Sequence, residues 1–226
     1  MASGADDYDE FFRNLRQLDL PLVATVKDLR SQIVREVCIA LSYMSVRLNN
    51  RFDRTAENVL SATLNLIQNS AKIIATSGAV ANRFIVTNTQ SVKLIPLILA
   101  GIESKSKEIR RFEKEIVFFS VRKLLKILRR HTYELLVIIL SNWDFGFMEK
   151  HGQLIHDAIK RGLSDADADA RSFARKSFGL FRDHFTSLAE ILLASLDASK
   201  RKTLMVCHRR NELDFRIIDF LLGRNE

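Results

Sequence analysis

Lys27-Asp28-Leu29-Arg30-Ser31-Gln32-Ile33-Val34-Arg35-Glu36-Val37-Cys38-Ile39-Ala40-Leu41 is the stretch that decides the fold class. A polar turn, 27–30, opens onto a run in which Ile33, Val34, Val37, Ala40, Leu41, Met44 and Leu48 recur at steps of three and four. That period gathers them on one side of an α-helix and leaves the charges on the other. The spacing predicts a helix over 31–48, preceded by a tight connection.

The same pattern spreads in both directions. Residues 8–18 open with acidic side chains, as helix starts do, and carry Phe11, Phe12, Leu15 and Leu18 on one face. Further helices are expected over 54–68, 71–86, 91–103, a long stretch 107–143, 147–162, 166–185 and 188–199. Only 8 Gly and 2 Pro occur in 226 residues, too few for the turns of an all-β chain. Polar turns fall at 27–30, 69–72, 104–107 and 164–168. Each leads into a similar helix start: Ile33-Val34-Arg35, Ile73-Ile74, Glu108-Ile109-Arg110 and Ala170-Arg171. Their spacings, roughly 40, 35 and 61 residues, include two that fit helical-hairpin repeats of the HEAT class. The reading is therefore all-α, an α-solenoid of HEAT-type hairpins. A single hairpin cannot bury its apolar face, whereas stacked hairpins share one core and align their turns along one edge. Asp, Ser and Asn in those turns either cap the following helix or face a ligand. Lys and Arg there are either ligand contacts or solvated bystanders.

Hydrophobic residues make up 47% and charged residues 27%, the balance of a folded chain. The net charge of +8 favours acidic partners: nucleic acid, an anionic membrane or an acidic protein surface. Met1 is followed by acidic and polar residues, not by the basic and apolar stretch of a secretory signal. The aliphatic run 135–140 is far shorter than the ~20 residues that span a bilayer. Two cysteines, Cys38 and Cys207, make neither a disulfide framework nor a metal set, and a cytosolic chain is the expectation.

No cofactor, metal or small-molecule substrate is expected. Asp165, Asp167 and Asp169 have the opening spacing of a calcium loop. The position that needs Gly is Ala170, however, and the one that needs a bidentate Glu is Lys176. These acids suit a helix start instead. His151 and His156 are five apart, not the four that aligns two ligands on a helix. Gly-rich phosphate loops and nucleophile motifs are absent, so the chain reads as a binding surface and not an enzyme. Arg122, Lys123, Lys126, Arg129 and Arg130 among aliphatic neighbours form a basic amphipathic stretch. This supports a secondary reading, a nucleic-acid module.

Several blocks together resemble a known family. The runs 27–36, 69–78 and 165–171 are similar to the second TOG domain of the CLASP microtubule-associated proteins. So are Tyr8-Asp9-Glu10-Phe11-Phe12, Arg83-Phe84-Ile85, Leu94-Ile95-Pro96-Leu97-Ile98 and Ser104-Lys105-Ser106. The match runs in consistent order over about 8–199. The resemblance implies a paddle of HEAT repeats whose intra-repeat turns contact tubulin. It also implies a role in stabilising microtubules, suppressing catastrophe and promoting rescue at plus ends, spindles and kinetochores, beside other spindle or plus-end proteins. The second TOG domain of that family is unusually bent, which implies its own mode of tubulin contact. Carried over residue by residue, the tubulin site would comprise Lys27, Asp28 and Arg30 in one turn, and Ser70 and Lys72 in the next. Lys105 and Lys107 follow, with Arg110 just inside the helix. Asp165 and Asp167 come last, with Arg171 and Arg175 one helical turn apart.

The chain departs from the family pattern in three places. The family's array opens with a further repeat whose turn aims a tryptophan at tubulin. Here the only tryptophan, Trp143, falls at the end of a second helix, where packing is expected. About 19 residues near 111–128 interrupt the fourth repeat, and without them the spacing returns to about 42. They read as a retained intron or faulty gene model, with a helical extension as the alternative. The tail, 205–226, including Val206-Cys207-His208-Arg209-Arg210, does not continue the pattern. The expected organisation is one array over 1–204 and a divergent tail. A generic HEAT scaffold for another protein partner is the other reading.

Overall fold

Apolar residues spaced three and four apart need a neighbouring helix to cover them, and each long helix here has one. The computed structural model describes residues 9–103 and 115–204. The chain divides into two compact units, 1–151 and 152–226.

The first unit contains α1 (Asp9–Leu15), α2 (Asp19–Val26), α3 (Ser31–Leu48), α4 (Asp53–Leu66), α5 (Lys72–Asn88), α6 (Leu94–Glu103), α7 (Glu115–Asn142) and the short α8 (Phe145–Met148). α2 packs on α3, α4 on α5 and α6 on α7, so three hairpins are stacked. α2, α4 and α6 form one layer; α3, α5 and α7 form the other. Between the layers lie Leu41, Phe52, Leu60, Ile85, Leu94, Ile98, Tyr133 and Leu136, all fully buried. Each such side chain contributes about 1.5–3 kcal/mol through loss of apolar surface from water.

Polar links set the register of this stack. Buried Asp19 accepts hydrogen bonds from Thr55 Oγ1 (2.7 Å) and Asn58 Nδ2 (2.6 Å), joining α2 to α4. Thr63 Oγ1 donates to Asn82 Oδ1 at 2.6 Å between α4 and α5. Gly78 lets these two helices approach, because a Cβ there would lie 2.6 Å from Leu66 Cβ. Successive inter-hairpin connections are also joined. Gln90 N donates to Asn50 Oδ1 (2.8 Å), and Asp144 N donates to Gln90 Oε1 (3.0 Å). Trp143 is buried, and its Nε1 donates to the Val86 carbonyl at 2.7 Å, the packing role expected for it. Glu134 on α7 takes Arg83 Nε at 2.8 Å from α5 and faces His131 Nδ1 at 2.9 Å. Burial alone would raise the Glu134 carboxyl. The hydrogen bonds from His131 and Arg83 outweigh that and hold it down at about 2.

The second unit contains α9 (Gly152–Gly162), α10 (Ala168–His184), α11 (Thr186–Ala194) and a helical stretch over 198–204. α9, α10 and α11 pack on one another around Phe178 and Phe181, and the Phe181 and Phe185 rings stack 4.9 Å apart.

Two elements differ from the sequence reading. The expected helix over 8–18 is α1 followed by a 3-10 turn, Arg16–Leu18, and then the separate α2. Pro21 sits in the first turn of α2, where its missing N–H has no partner to lose. The expected helix over 147–162 is split by a 3-10 turn, Glu149–His151, ahead of α9. The extra segment lies within the described residues over 115–128. There it is the first half of the continuous 28-residue α7, with Leu125 and Leu128 buried. The tail 205–226 lies outside the described residues.

Candidate functional site: the turns inside the hairpins

Three intra-hairpin turns have one local geometry. In each, a short polar side chain bonds the backbone N–H two residues on, which is an Asx turn. Asp28 Oδ1 accepts from Arg30 N (2.8 Å), Asn69 Oδ1 from Ala71 N (2.9 Å), and Asp165 Oδ1 from Asp167 N (2.9 Å). The bonded N–H belongs to the helix N-cap residue, which is extended in all three: φ −84° and ψ 113° at Arg30, −74° and 112° at Ala71, −82° and 127° at Asp167. The loop so formed thrusts the residue between the bonded pair into solvent. Those tip residues are Leu29, Ser70 and Ala166, and all three are exposed.

What surrounds each tip differs. In the first turn Lys27 is exposed, and Arg30 folds back on Asp28 with Nε at 3.0 Å and Nη2 at 2.8 Å. Hydrogen bonds from Arg30 hold the Asp28 carboxyl down at about 2. The pair is therefore internally compensated, and the net cation of this turn is Lys27. Leu29 is 96% exposed, which leaves an aliphatic side chain in water between charges. Sequence reasoning did not single it out; its signal is an aliphatic residue in a position where turns carry polar ones. In the second turn Ser70 and Lys72 are both exposed, and the turn holds no acid. Both turns lie on the same edge of the first unit, because α3 and α5 begin there and run side by side. Lys105, Lys107 and Arg110, expected to continue the row, lie outside the described residues.

In the second unit the acidic residues build the turn itself. Asp165 closes the Asx turn, and buried Asp167 caps α10 through Oδ2, which accepts from Ala170 N at 3.3 Å. Arg171 Nη1 donates to the carbonyls of Asp165 (2.8 Å) and Ala166 (3.0 Å). Of the four residues assigned to this turn, Asp165, Asp167 and Arg171 hold its shape, and half-exposed Arg175 stands one helical turn further on. Among the described residues no cluster of His, Cys, Asp or Glu could hold a metal ion. No described helix is long and apolar enough to cross a membrane.

Stacked helical hairpins with shaped turns along one edge define a HEAT-type repeat module, the fold of TOG domains. Two solved structures with this fold superimpose on 88% of the chain. One concerns crescerin, described as using a TOG domain array to regulate microtubules in the primary cilium. It has a TM-score of 0.59 and 11% identity, and 75% of its chain is covered. The other concerns tubulin recruitment and assembly by microtubule polymerases with TOG domain arrays. It has a TM-score of 0.64 and 14% identity, and 38% of its chain is covered. The chain belongs to the CLASP N-terminal family, whose model matches residues 3–205. It is 40% identical over 211 residues to CLIP-associating protein 1 of Xenopus tropicalis, covering 93% of this chain. It is 33% identical over 192 residues to CLIP-associating protein of Drosophila melanogaster, covering 84% of this chain. The chain spans only 13% and 12% of the lengths of these two relatives.

Proposed function

We propose that this chain is a tubulin-binding TOG module without catalytic chemistry, and that its contact edge is the row of intra-hairpin turns. The repeated Asx turn carries this reading: it holds a tip residue outward on a rigid base, with Lys27 and Lys72 beside it in the first unit. Arg30 is compensated by Asp28 and adds directional hydrogen-bonding capacity, not net charge. Lys105, Lys107 and Arg110, outside the described residues, are assigned to the same contact by the resemblance alone, and in the second unit Arg175 is the cation beside the turn. Tubulin is acidic, so these charges attract it. Each exposed pair is worth only about 0.2–1 kcal/mol, and the sum falls with ionic strength. Leu29 adds an apolar contact that salt does not screen. Asp28, Asp165, Asp167 and Arg171 serve the site by shaping its turns.

A module that fits one curvature of the tubulin lattice shifts the polymer toward that state by binding it more tightly than the alternative. Microtubule stabilisation, suppression of catastrophe and promotion of rescue follow from that preference. The setting would be the microtubule cytoskeleton, including the spindle and kinetochores. Related proteins with TOG arrays act on microtubules and tubulin, which supports the same ligand here. The test is co-sedimentation with microtubules at low and moderate salt, with total RNA as competitor. Salt-sensitive pelleting that RNA leaves intact is expected. Loss of pelleting to RNA would transfer the basic surface to nucleic acid, and no pelleting from folded protein would refute the tubulin reading.

A further inference from the structure

The layer formed by α3, α5 and α7 packs on the first helices of the hairpins by one face only. Its other face is uncovered by any described element of the first unit, and apolar side chains stand exposed there among polar ones such as Gln32, Glu36 and Arg47. Ile39, Tyr43 and Val46 on α3, and Ile73, Val80 and Phe84 on α5, are between 38% and 57% exposed. They recur at helical steps, so they form stripes along two adjacent helices and not scattered single residues. Scattered exposed apolar residues are ordinary on protein surfaces, whereas a contiguous patch marks an interaction site. Between the stripes runs a groove of about 410 Å³ lined by Arg35, Ile39, Ser42, Thr76, Val80 and Phe84, with the buried Cys38 at its floor.

The charge on this groove is one-sided. Its lining includes a cation, Arg35, and no carboxylate. Lys72 stands exposed at the same end, one helical turn before Thr76, and neither cation is ion-paired among the described residues. The N-termini of α3 and α5 also lie at that end and add the positive poles of two helix dipoles. The far end carries apolar Phe84 and Val46. A ligand suited to this groove is therefore apolar along one stripe and acidic at one end.

We propose that the α3–α5 groove docks an acidic amphipathic helix from a partner protein. Its apolar residues would lie over Ile39, Val80 and Phe84, and its carboxylates would face Arg35 and Lys72. Two parallel helices offer a ridge-and-groove surface that a third helix fills, with anchors at steps of three and four. Lys72 borders both surfaces, but the groove itself lies on the open face of the helix layer, and its test rests on Arg35 and Val80, which the turn edge does not use.

The test uses the full chain, labelled with nitrogen-15. The probe is a fluorescent peptide of about 18 residues, long enough to hold a helix, with Leu at one helical stripe and Glu elsewhere. Controls are the same composition scrambled and the same stripe with Lys for Glu. The acidic amphipath should bind about tenfold or more tighter than either control. The backbone amides it shifts should cluster over 35–43 and 76–84. Val80→Glu should reduce its binding about tenfold, and Arg35→Glu should weaken it several-fold, with circular dichroism unchanged. If Val80→Glu does not fold, the shift map on the unaltered chain decides. No binding, or equal binding of the scrambled peptide, overturns the proposal. So do shifts centred instead on a second cleft of the first unit, a polar one lined by Arg16, Arg51, Arg54 and Lys93. Self-association abolished by Val80→Glu overturns it too, because a second copy would then cover the face.

Discussion

Glu134→Gln removes one charge from the link between α5 and α7 while keeping the shape of the side chain. In the folded chain the Glu134 carboxyl lies at about 2, against an ordinary 4.5. At about 1.4 kcal/mol per pH unit, that difference caps the stabilisation at about 3 kcal/mol. The Arg83 side chain is 43% exposed and the Glu134 side chain 25%, so solvent screens part of the attraction. An effect of about 1–2 kcal/mol at pH 7 is expected. The sign of its pH dependence is fixed. A carboxyl whose folded value is depressed contributes in full above its unfolded value, and the contribution is lost as pH falls from 4.5 toward 2. The assay is urea unfolding followed by the fluorescence of Trp143. This single tryptophan is buried against Val86 in the same unit and reports that unit alone. The gap between the original chain and Glu134→Gln should be largest at pH 7 and should close as pH approaches 2.5. A gap that is constant with pH, or absent at pH 7, would refute the role given to the Arg83–Glu134–His131 cluster.

Gly78→Ala should destabilise the first unit by about 1–3 kcal/mol, seen in the same Trp143 transition, because the added methyl meets Leu66 Cβ at 2.6 Å. Arg171→Ala frees two turn carbonyls and should cost the second unit about 1–2 kcal/mol, read as faster hydrogen exchange over 164–171. Leu29→Asp should leave stability within about 0.5 kcal/mol, since the side chain touches little, yet weaken microtubule co-sedimentation. Unchanged pelleting would remove Leu29 from the contact edge. Burial pushes the Cys38 thiol up to about 11, so in a Cys207→Ser background it should resist a thiol reagent at pH 8 until urea unfolds the chain.

Much of the architecture is legible in the chain itself. Val34, Val37, Leu41, Met44 and Leu48 are buried in α3 as their spacing predicts. Such a period is a local property: it defines a helix face whatever covers that face. The polar turns at 27–30 and 69–72, and the helices they open, are equally local, as is the resemblance that led to the family. The break between α1 and α2 was not legible, because Phe11, Phe12, Leu15 and Leu18 keep a helical period through a 3-10 turn.

The roles of the turn residues were decided by the folded geometry of each turn, not by residue type. Lys27, Arg30, Lys72 and Arg171 are alike in sequence as basic residues near a turn. Arg30 is closed on Asp28 and Arg171 on two carbonyls, while Lys27 and Lys72 remain exposed. Rotamer choice and hydrogen-bond geometry make that division, and neither is written in residue type or spacing. The joining of Arg83 to Glu134, 51 residues apart, and the open apolar face of α3 and α5 depend on which helices stack and which faces stay uncovered. The sequence by itself determines which residues can share a helix face. The stacking of the hairpins determines which of those faces meet protein and which meet solvent, because burial is a property of neighbours brought together from distant parts of the chain.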